Sequence, residues 1–202
     1  DFWVSSCNQD AVAWLDKYPD WPAPLLFIYG PRACGKTHLL KVWQNETGAA
    51  TYDAAAIDSL PHAVVIDGID KLVGDAAREE ALLHLYNIQK ERGGHILAAA
   101  ETPPRGWRFV LRDLESRLLA APAVAVGSPD DELMAVVLTK LFSDRQIFVP
   151  QEVVQFLLPR LERSFAAMRD IVDEIDRKAL AEKRKVTVPL VRDIFDTQPP
   201  LV

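Results

Sequence analysis

Eight consecutive residues, Gly30-Pro31-Arg32-Ala33-Cys34-Gly35-Lys36-Thr37, carry the clearest chemistry in the sequence. They fit the spacing G-x-x-x-x-G-K-[ST], in which glycines let backbone N–H groups turn inward around phosphate oxygens. The loop follows an apolar run and opens an amphipathic stretch, so a helix N-terminus adds the positive end of its dipole. Lys36 then reaches the β- and γ-phosphates of a nucleotide, and the Thr37 hydroxyl joins the shell of a Mg²⁺ ion. Cys34 serves the loop as a small filler. Such a site needs an acid at the end of a second strand to hold Mg²⁺ through water. The run Ala63-Val64-Val65-Ile66-Asp67 supplies Asp67. In many ATPases built on this loop the following residue is an acid that polarises the attacking water. Here it is Gly68, and the nearest acid downstream is Asp70. A general base must come within about 3 Å of its water or act through one intervening water. Asp70, three places beyond Asp67, is not set for that reach. The sequence therefore predicts nucleotide binding with weak hydrolysis by this chain alone.

These groups need a parallel sheet to bring them together, and the hydrophobic pattern provides one. Residues 25–30 read as a buried strand and 36–44 as the helix after it. Residues 51–53 form a short strand and 63–67, with β-branched Val64, Val65 and Ile66, a stronger one. Residues 76–91 place Ala77, Ala81, Leu82, Leu85 and Ile88 at helical spacing, and Gly93-Gly94 stops that helix. Residues 95–100 make the next strand, ended by Pro103-Pro104; 111–119 form a short helix, and 121–126 a last strand. Strands alternating with helices imply a parallel sheet with helices on both faces. After Pro129 no strand is read. Helices are expected over 130–144 (capped by Ser128 or Asp130), 150–161 (interrupted near Pro159), 165–183 and 188–196. The predicted fold is an α/β domain over residues 1–127 and a small all-helical domain over 128–202, joined at a hinge in Gly127-Ser128-Pro129. No internal repeat is read.

Composition narrows the function classes. Of 202 residues, 49% are hydrophobic and 26% charged, which supports a folded core and not a disordered chain. No run approaches the ~18 apolar residues of a membrane span, so no membrane partner is expected. A net charge of −6 argues against a dedicated duplex-DNA binder, which needs a basic surplus to displace counterions. The two cysteines, Cys7 and Cys34, exclude a disulfide framework and a Cys-rich zinc site. His38, His62, His84 and His95 have no ligand spacing. No leader peptide is read, and a cytoplasmic location is expected. The chain does not begin with methionine, and a native segment is expected to precede Asp1.

Together these motifs resemble the DnaA-like branch of the AAA+ ATPases over nearly the whole chain. Residues 30–37, continued by His38-Leu39-Leu40, are similar to its Walker A motif, and 64–70 to its Walker B. Phe2-Trp3-Val4 with Asn8-Gln9-Asp10-Ala11 looks like the segment that packs on adenine. Glu101-Thr102-Pro103-Pro104 resembles the sensor 1 stretch, Glu101 standing where the branch has a short polar or acidic residue. Leu114-Glu115-Ser116-Arg117-Leu118 resembles the arginine-finger box, which makes Arg117 the group that reaches a neighbouring subunit's nucleotide. Sensor 2 departs from the pattern. Counting back from 183–187, Ala166 occupies the expected arginine position. Arg169 lies three residues on, about 60° round a helix and ~4.5 Å along it, and Arg163 is displaced equally the other way. The resemblance implies Arg169, whose long side chain could swing back to the phosphates. It also implies ADP or ATP with Mg²⁺ as cofactors, a P-loop AAA+ sheet, and a helical lid.

Two features point to a regulatory member of that branch. Only 30 residues separate Lys36 from Asp67, where the replication initiator has a longer stretch with DNA-gripping helices. The sequence also closes at Val202, after the lid, without the initiator's C-terminal DNA-binding domain. The expected function is to hold a nucleotide, ADP above ATP, and to pack against ATP-bound DnaA on clamp-loaded DNA. Arg117 would promote hydrolysis of DnaA's ATP in trans and so inactivate the initiator. The partners this implies are DnaA and the DNA polymerase sliding clamp, the latter through an N-terminal peptide before Asp1. A second copy of the chain is a further partner that open lid faces permit. An alternative is an autonomous AAA+ ATPase that remodels or loads another protein, against which Gly68 counts. A DNA-binding initiator paralogue is a third, against which the acidic charge and the short spacing count.

Overall fold

The computed structural model describes residues 3–197, and the chain divides into two compact units, Asp1–Gly127 and Ser128–Val202. In the first, β1 (Leu25–Tyr29), β2 (Ala50–Thr51), β3 (Ala63–Asp67), β4 (His95–Ala100) and β5 (Ala123–Ala125) form one parallel sheet in the order β2-β3-β4-β1-β5. The strands read as near-continuous apolar runs because helices cover both faces. Alternate residues serve opposite sides. Phe27, Val64, Ile66, Ile96 and Ala98 pack with α3 (Ala76–Glu91) and α4 (Arg112–Ala120) through Leu82, Leu85, Leu114 and Leu118. Leu26, Ile28, Val65, Leu97 and Ala99 pack with α1 (Gln9–Leu15) and α2 (Lys36–Thr47) through Ala11, Leu39, Leu40 and Trp43.

The differences from the sequence pattern have local causes. The second strand is Ala50–Thr51, earlier than 51–53, because the Asp53 side chain accepts from the Ala55 N–H at 2.9 Å and turns the backbone into a 3₁₀ segment, Ala54–Ser59. The last strand begins at Ala123, since Pro122 has no N–H for the ladder, although its carbonyl still accepts from Phe27 at 2.9 Å. Helix α2 continues to Thr47, stopped by left-handed Gly48. Helix α1 was not expected.

The second unit contains α5 (Asp131–Asp144), α6 (Gln151–Leu157), α7 (Phe165–Glu182) and α8 (Val188–Thr197). Asp130, of the two candidate caps, accepts from Leu133 N–H at 2.8 Å, and Ser164 caps α7 through Ala167 N–H at 3.1 Å. At Pro159 α6 tightens into a 3₁₀ turn, Leu158–Arg160, because proline lacks the donor to continue it. The core is built by Leu138, Phe142, Leu157, Met168, Val172, Ile175, Leu190 and Val191. Among the described residues no helix is long and apolar enough to cross a membrane.

Candidate functional site

Register in the sheet assembles the site. Asp67 pairs across from Ala99, and Tyr29 across from Ala100. The loop after β1, the end of β3 and the residue after β4 therefore emerge side by side at the carboxyl edge, where open parallel sheets bind ligands. Gly30 N–H donates to Ala100 O at 3.2 Å and Gly68 N–H to Ala99 O at 2.9 Å, which locks the three segments together. A cavity of about 330 Å³ opens there, lined by Arg32, Lys36, Thr37, Asp67, Asp70, Lys71 and Glu101.

The phosphate loop has the geometry its sequence requires. A Cβ at Gly30 would stand 2.1 Å from the Val126 carbonyl oxygen, so no side chain fits there. Gly35 caps α2 with no side-chain hydrogen bond, which leaves the first N–H groups of that twelve-residue helix for an anion. Lys36 Nζ donates to the carbonyls of Gly30 at 2.8 Å and Pro31 at 2.7 Å and lies 3.6 Å from Cys34 Sγ, folded over its own loop. Cys34 is buried, Pro31 and Arg32 are exposed, and Ala33 holds a left-handed φ of 56°. His38 is exposed at the start of α2.

Thr37 Oγ1 donates to Asp67 Oδ2 at 2.7 Å, so the two predicted metal-shell groups meet. Among the described residues no three His, Cys, Asp or Glu side chains converge on a metal position. A hydroxyl and one carboxylate suit Mg²⁺, which keeps waters and takes phosphate oxygens in place of an all-protein cage. Gly68 has φ 77°, a left-handed backbone that strains any acid placed there. Asp70 lines the same cavity; its Oδ2 accepts from Glu101 N–H at 3.4 Å, and its Oδ1 is buried with no hydrogen-bond partner among the described residues. Glu101 and Arg32 form an exposed ion pair at 3.2 Å that links the residue after β4 to the phosphate loop.

Arg117 stands on α4, its Nε and Nη2 donating to both Asp113 oxygens at 3.0 and 3.1 Å. Its guanidinium lies 5.3 Å over the Tyr86 ring. The hydrogen bonds to Asp113 hold this group even further above its ordinary value. Glu79, on α3, was not singled out from sequence. It is fully buried and accepts from the backbone N–H groups of Gly74, Val110 and Leu111, at 2.7, 3.0 and 2.7 Å. Burial pulls its carboxyl up, and the N–H groups of Gly74, Leu111 and Val110 outweigh that and hold it below the ordinary value. Leu111 is the residue before α4 and has no capping side chain of its own, so Glu79 anchors the helix that carries Arg117. The only sequence signal was a glutamate on the apolar side of a helix.

The N-terminal turn is tied by Asn8, which accepts from Ser5 N–H at 2.9 Å and donates to the Trp3 carbonyl at 3.0 Å. Trp3 and Val4 remain about half exposed, and Phe2, of the same predicted segment, lies outside the described residues. Gly127 N–H donates to the Cys7 carbonyl at 2.8 Å, which joins this turn to the end of β5. In the helical unit Arg169 is exposed on α7 and Ala166 half-buried. Arg163 is committed elsewhere, to Asp131 at 2.8 Å and the Pro129 carbonyl at 3.3 Å.

Residues 130–195 match the family described as Hda, lid domain. Domain III of the replication initiation protein DnaA of Thermotoga maritima superimposes with a TM-score of 0.79, over 96% of this chain and 93% of that one, at 20% identity. The chain therefore has the fold of DnaA domain III, and its residues 130–195 are similar to the Hda lid domain. AMPPCP-bound DnaA from Aquifex aeolicus gives a TM-score of 0.72 at 20% identity, covering 87% of this chain and 63% of that one. An uncharacterized protein of Haemophilus influenzae is 27% identical over 193 residues, which is 88% of this chain and 84% of that protein.

Proposed function

We propose that this AAA+ protein binds an adenine nucleotide and regulates replication initiation, inactivating DnaA by promoting hydrolysis of DnaA's ATP in concert with the sliding clamp. The observation that carries this reading is the Hda lid over residues 130–195, joined to a DnaA-like AAA+ unit. Adenine-nucleotide binding has the added support of an AMPPCP-bound DnaA of the same fold. The chain's own residues divide the work. The N–H groups that open α2 and the Lys36 ammonium hold the phosphates, while Trp3 and Val4 offer an apolar surface to the base. Thr37 and Asp67 hold Mg²⁺, which when bound neutralises phosphate charge. Gly68 leaves no acid beside Asp67 to polarise a water, so ADP or ATP stays as a structural ligand. Arg117 reaches DnaA's nucleotide and stabilises charge on the transferred phosphoryl group; arginines supplied in trans raise GTPase rates about 10³–10⁵-fold.

One observation favours a second reading, an autonomous ATPase that remodels or loads another protein. Asp70 lines the cavity with Thr37 and Asp67 and carries a buried oxygen with no hydrogen-bond partner among the described residues. One assay separates the two: phosphate release by the protein alone, and by ATP-loaded DnaA with and without it on clamp-loaded DNA. Slow turnover alone and strong stimulation of DnaA supports regulation. Fast turnover alone, with DnaA unaffected, supports the second reading.

A further inference from the structure

We infer that Asp113 is a positioning residue for Arg117, holding the guanidinium with its outer edge presented to a phosphate of the partner's nucleotide. The inference rests on the reading above and deepens it. Arg117 and Asp113 lie one turn apart on the same face of α4. The carboxylate grips the side of the guanidinium, one oxygen on Nε at 3.0 Å and the other on Nη2 at 3.1 Å. A guanidinium has five N–H donors in a rigid planar fork. This grip consumes one on Nε and one on Nη2, and it leaves both hydrogens of Nη1 and the second of Nη2. Those lie on the outer edge, the pair of nitrogens that meets a phosphate in two parallel hydrogen bonds.

The ring of Tyr86, from α3, fixes the remaining freedom. The guanidinium carbon sits 5.3 Å from the ring centroid, so the plane is held by an edge contact and a face contact together. The Arg117 side chain is 27% exposed, against 58% for Asp113, so the cation is the more confined of the two. A long arginine otherwise samples many rotamers, and most of them point away from a reacting group. Holding one rotamer before the partner arrives removes that ordering from the association step and from the approach to the transition state. Asp113 takes the side of the fork and not its end, which distinguishes a positioning carboxylate from one that blocks the finger.

The test compares full-length wild type with Asp113→Asn, Asp113→Glu and Arg117→Ala, together with Arg117→Lys alone and combined with Asp113→Asn. The readout is phosphate release by ATP-loaded DnaA on clamp-loaded DNA, titrated with each protein. Asp113→Asn keeps the shape and loses the charge. It is expected to lower the maximal stimulated rate about tenfold, within the range spanned by couplings of contacting residues, with the half-saturating concentration unchanged. Asp113→Glu restores most of the rate. In the Arg117→Lys background, where no side-on fork exists, Asp113→Asn has no further effect. Full stimulation by Asp113→Asn while Arg117→Ala abolishes it overturns the positioning role and leaves the function standing. An equal loss in the Arg117→Lys background also overturns it. Full stimulation by Arg117→Ala removes both.

Discussion

Replacing Glu79 with glutamine tests how the fold holds the helix that bears Arg117. One carboxylate oxygen accepts from Gly74 N–H at 2.7 Å and the other from Leu111 N–H at 2.7 Å, with Val110 N–H shared at 3.0 Å. Glutamine keeps the shape but offers a single oxygen. Either way the amide is turned, its NH₂ faces one of those N–H donors, so a buried donor loses its partner. Hydrogen bonds to a charged acceptor contribute about 1.5–3 kcal/mol, and an unsatisfied buried donor costs about 1–3 kcal/mol. A destabilisation of about 3 kcal/mol is expected. For a unit of this size that lowers Tm by roughly 12 °C, at about 4 °C per kcal/mol. All five tryptophans (Trp3, Trp14, Trp21, Trp43 and Trp107) lie in the AAA+ unit, so their fluorescence reports that unit's unfolding and not the lid's. The pH dependence follows from the lowered pKa of Glu79. The stabilisation is complete above the unfolded carboxyl value, near 4.5, and is lost as pH falls through the lower folded value. The gap between wild type and Glu79→Gln is therefore constant from pH 7 to 5 and narrows below about 4.5. A variant as stable as wild type at pH 7, or a gap that widens in acid, refutes the assignment.

Three further outcomes are expected. Lys36→Ala removes an ammonium held at 2.7–2.8 Å from two loop carbonyls and a phosphate contact worth about 1.5–3 kcal/mol; calorimetry should show adenine-nucleotide affinity down more than tenfold. The isolated protein should turn over ATP below ~1 s⁻¹, and Asp70→Asn should leave that rate unchanged; a large fall would make Asp70 the water-positioning group. His95 is held below its ordinary value by burial, with the Pro19 carbonyl and Asp20 pulling partly the other way. The unfolded chain therefore takes up a proton first as pH falls below about 6.5, so stability drops from pH 7 to 5.5, and His95→Gln removes that component of the fluorescence-monitored loss.

What the sequence made legible was whatever local spacing controls. Gly30, Gly35, Lys36 and Thr37 are contiguous, and the buried runs ending at Tyr29, Asp67 and Ala100 needed only parallel pairing to bring the cavity-lining residues together. Pairings across the chain were not legible. Nothing local tells that Glu79 meets N–H groups more than thirty residues away, or that Arg32 meets Glu101. Asp113 and Arg117 were one turn apart in the sequence, but the ring of Tyr86 that completes their geometry comes from another helix. The short strands fell one or two residues from expectation because Asp53 and Pro122 act on the backbone through hydrogen bonds that hydrophobic periodicity does not register.

In the proposed function Arg117 acts on a partner's nucleotide. The most direct measurement is the fraction of DnaA-bound ATP converted to ADP on clamp-loaded DNA, with full-length wild type or Arg117→Ala. Arg117→Ala loses the helix pair with Asp113 and the contact over Tyr86, together about 1–1.5 kcal/mol, a small part of a domain's roughly 5–15 kcal/mol, so the variant should fold and bind nucleotide as wild type does. Wild type is predicted to convert DnaA to the ADP form, and Arg117→Ala to leave it ATP-bound. Conversion by a folded Arg117→Ala protein at the wild-type rate would contradict the claim.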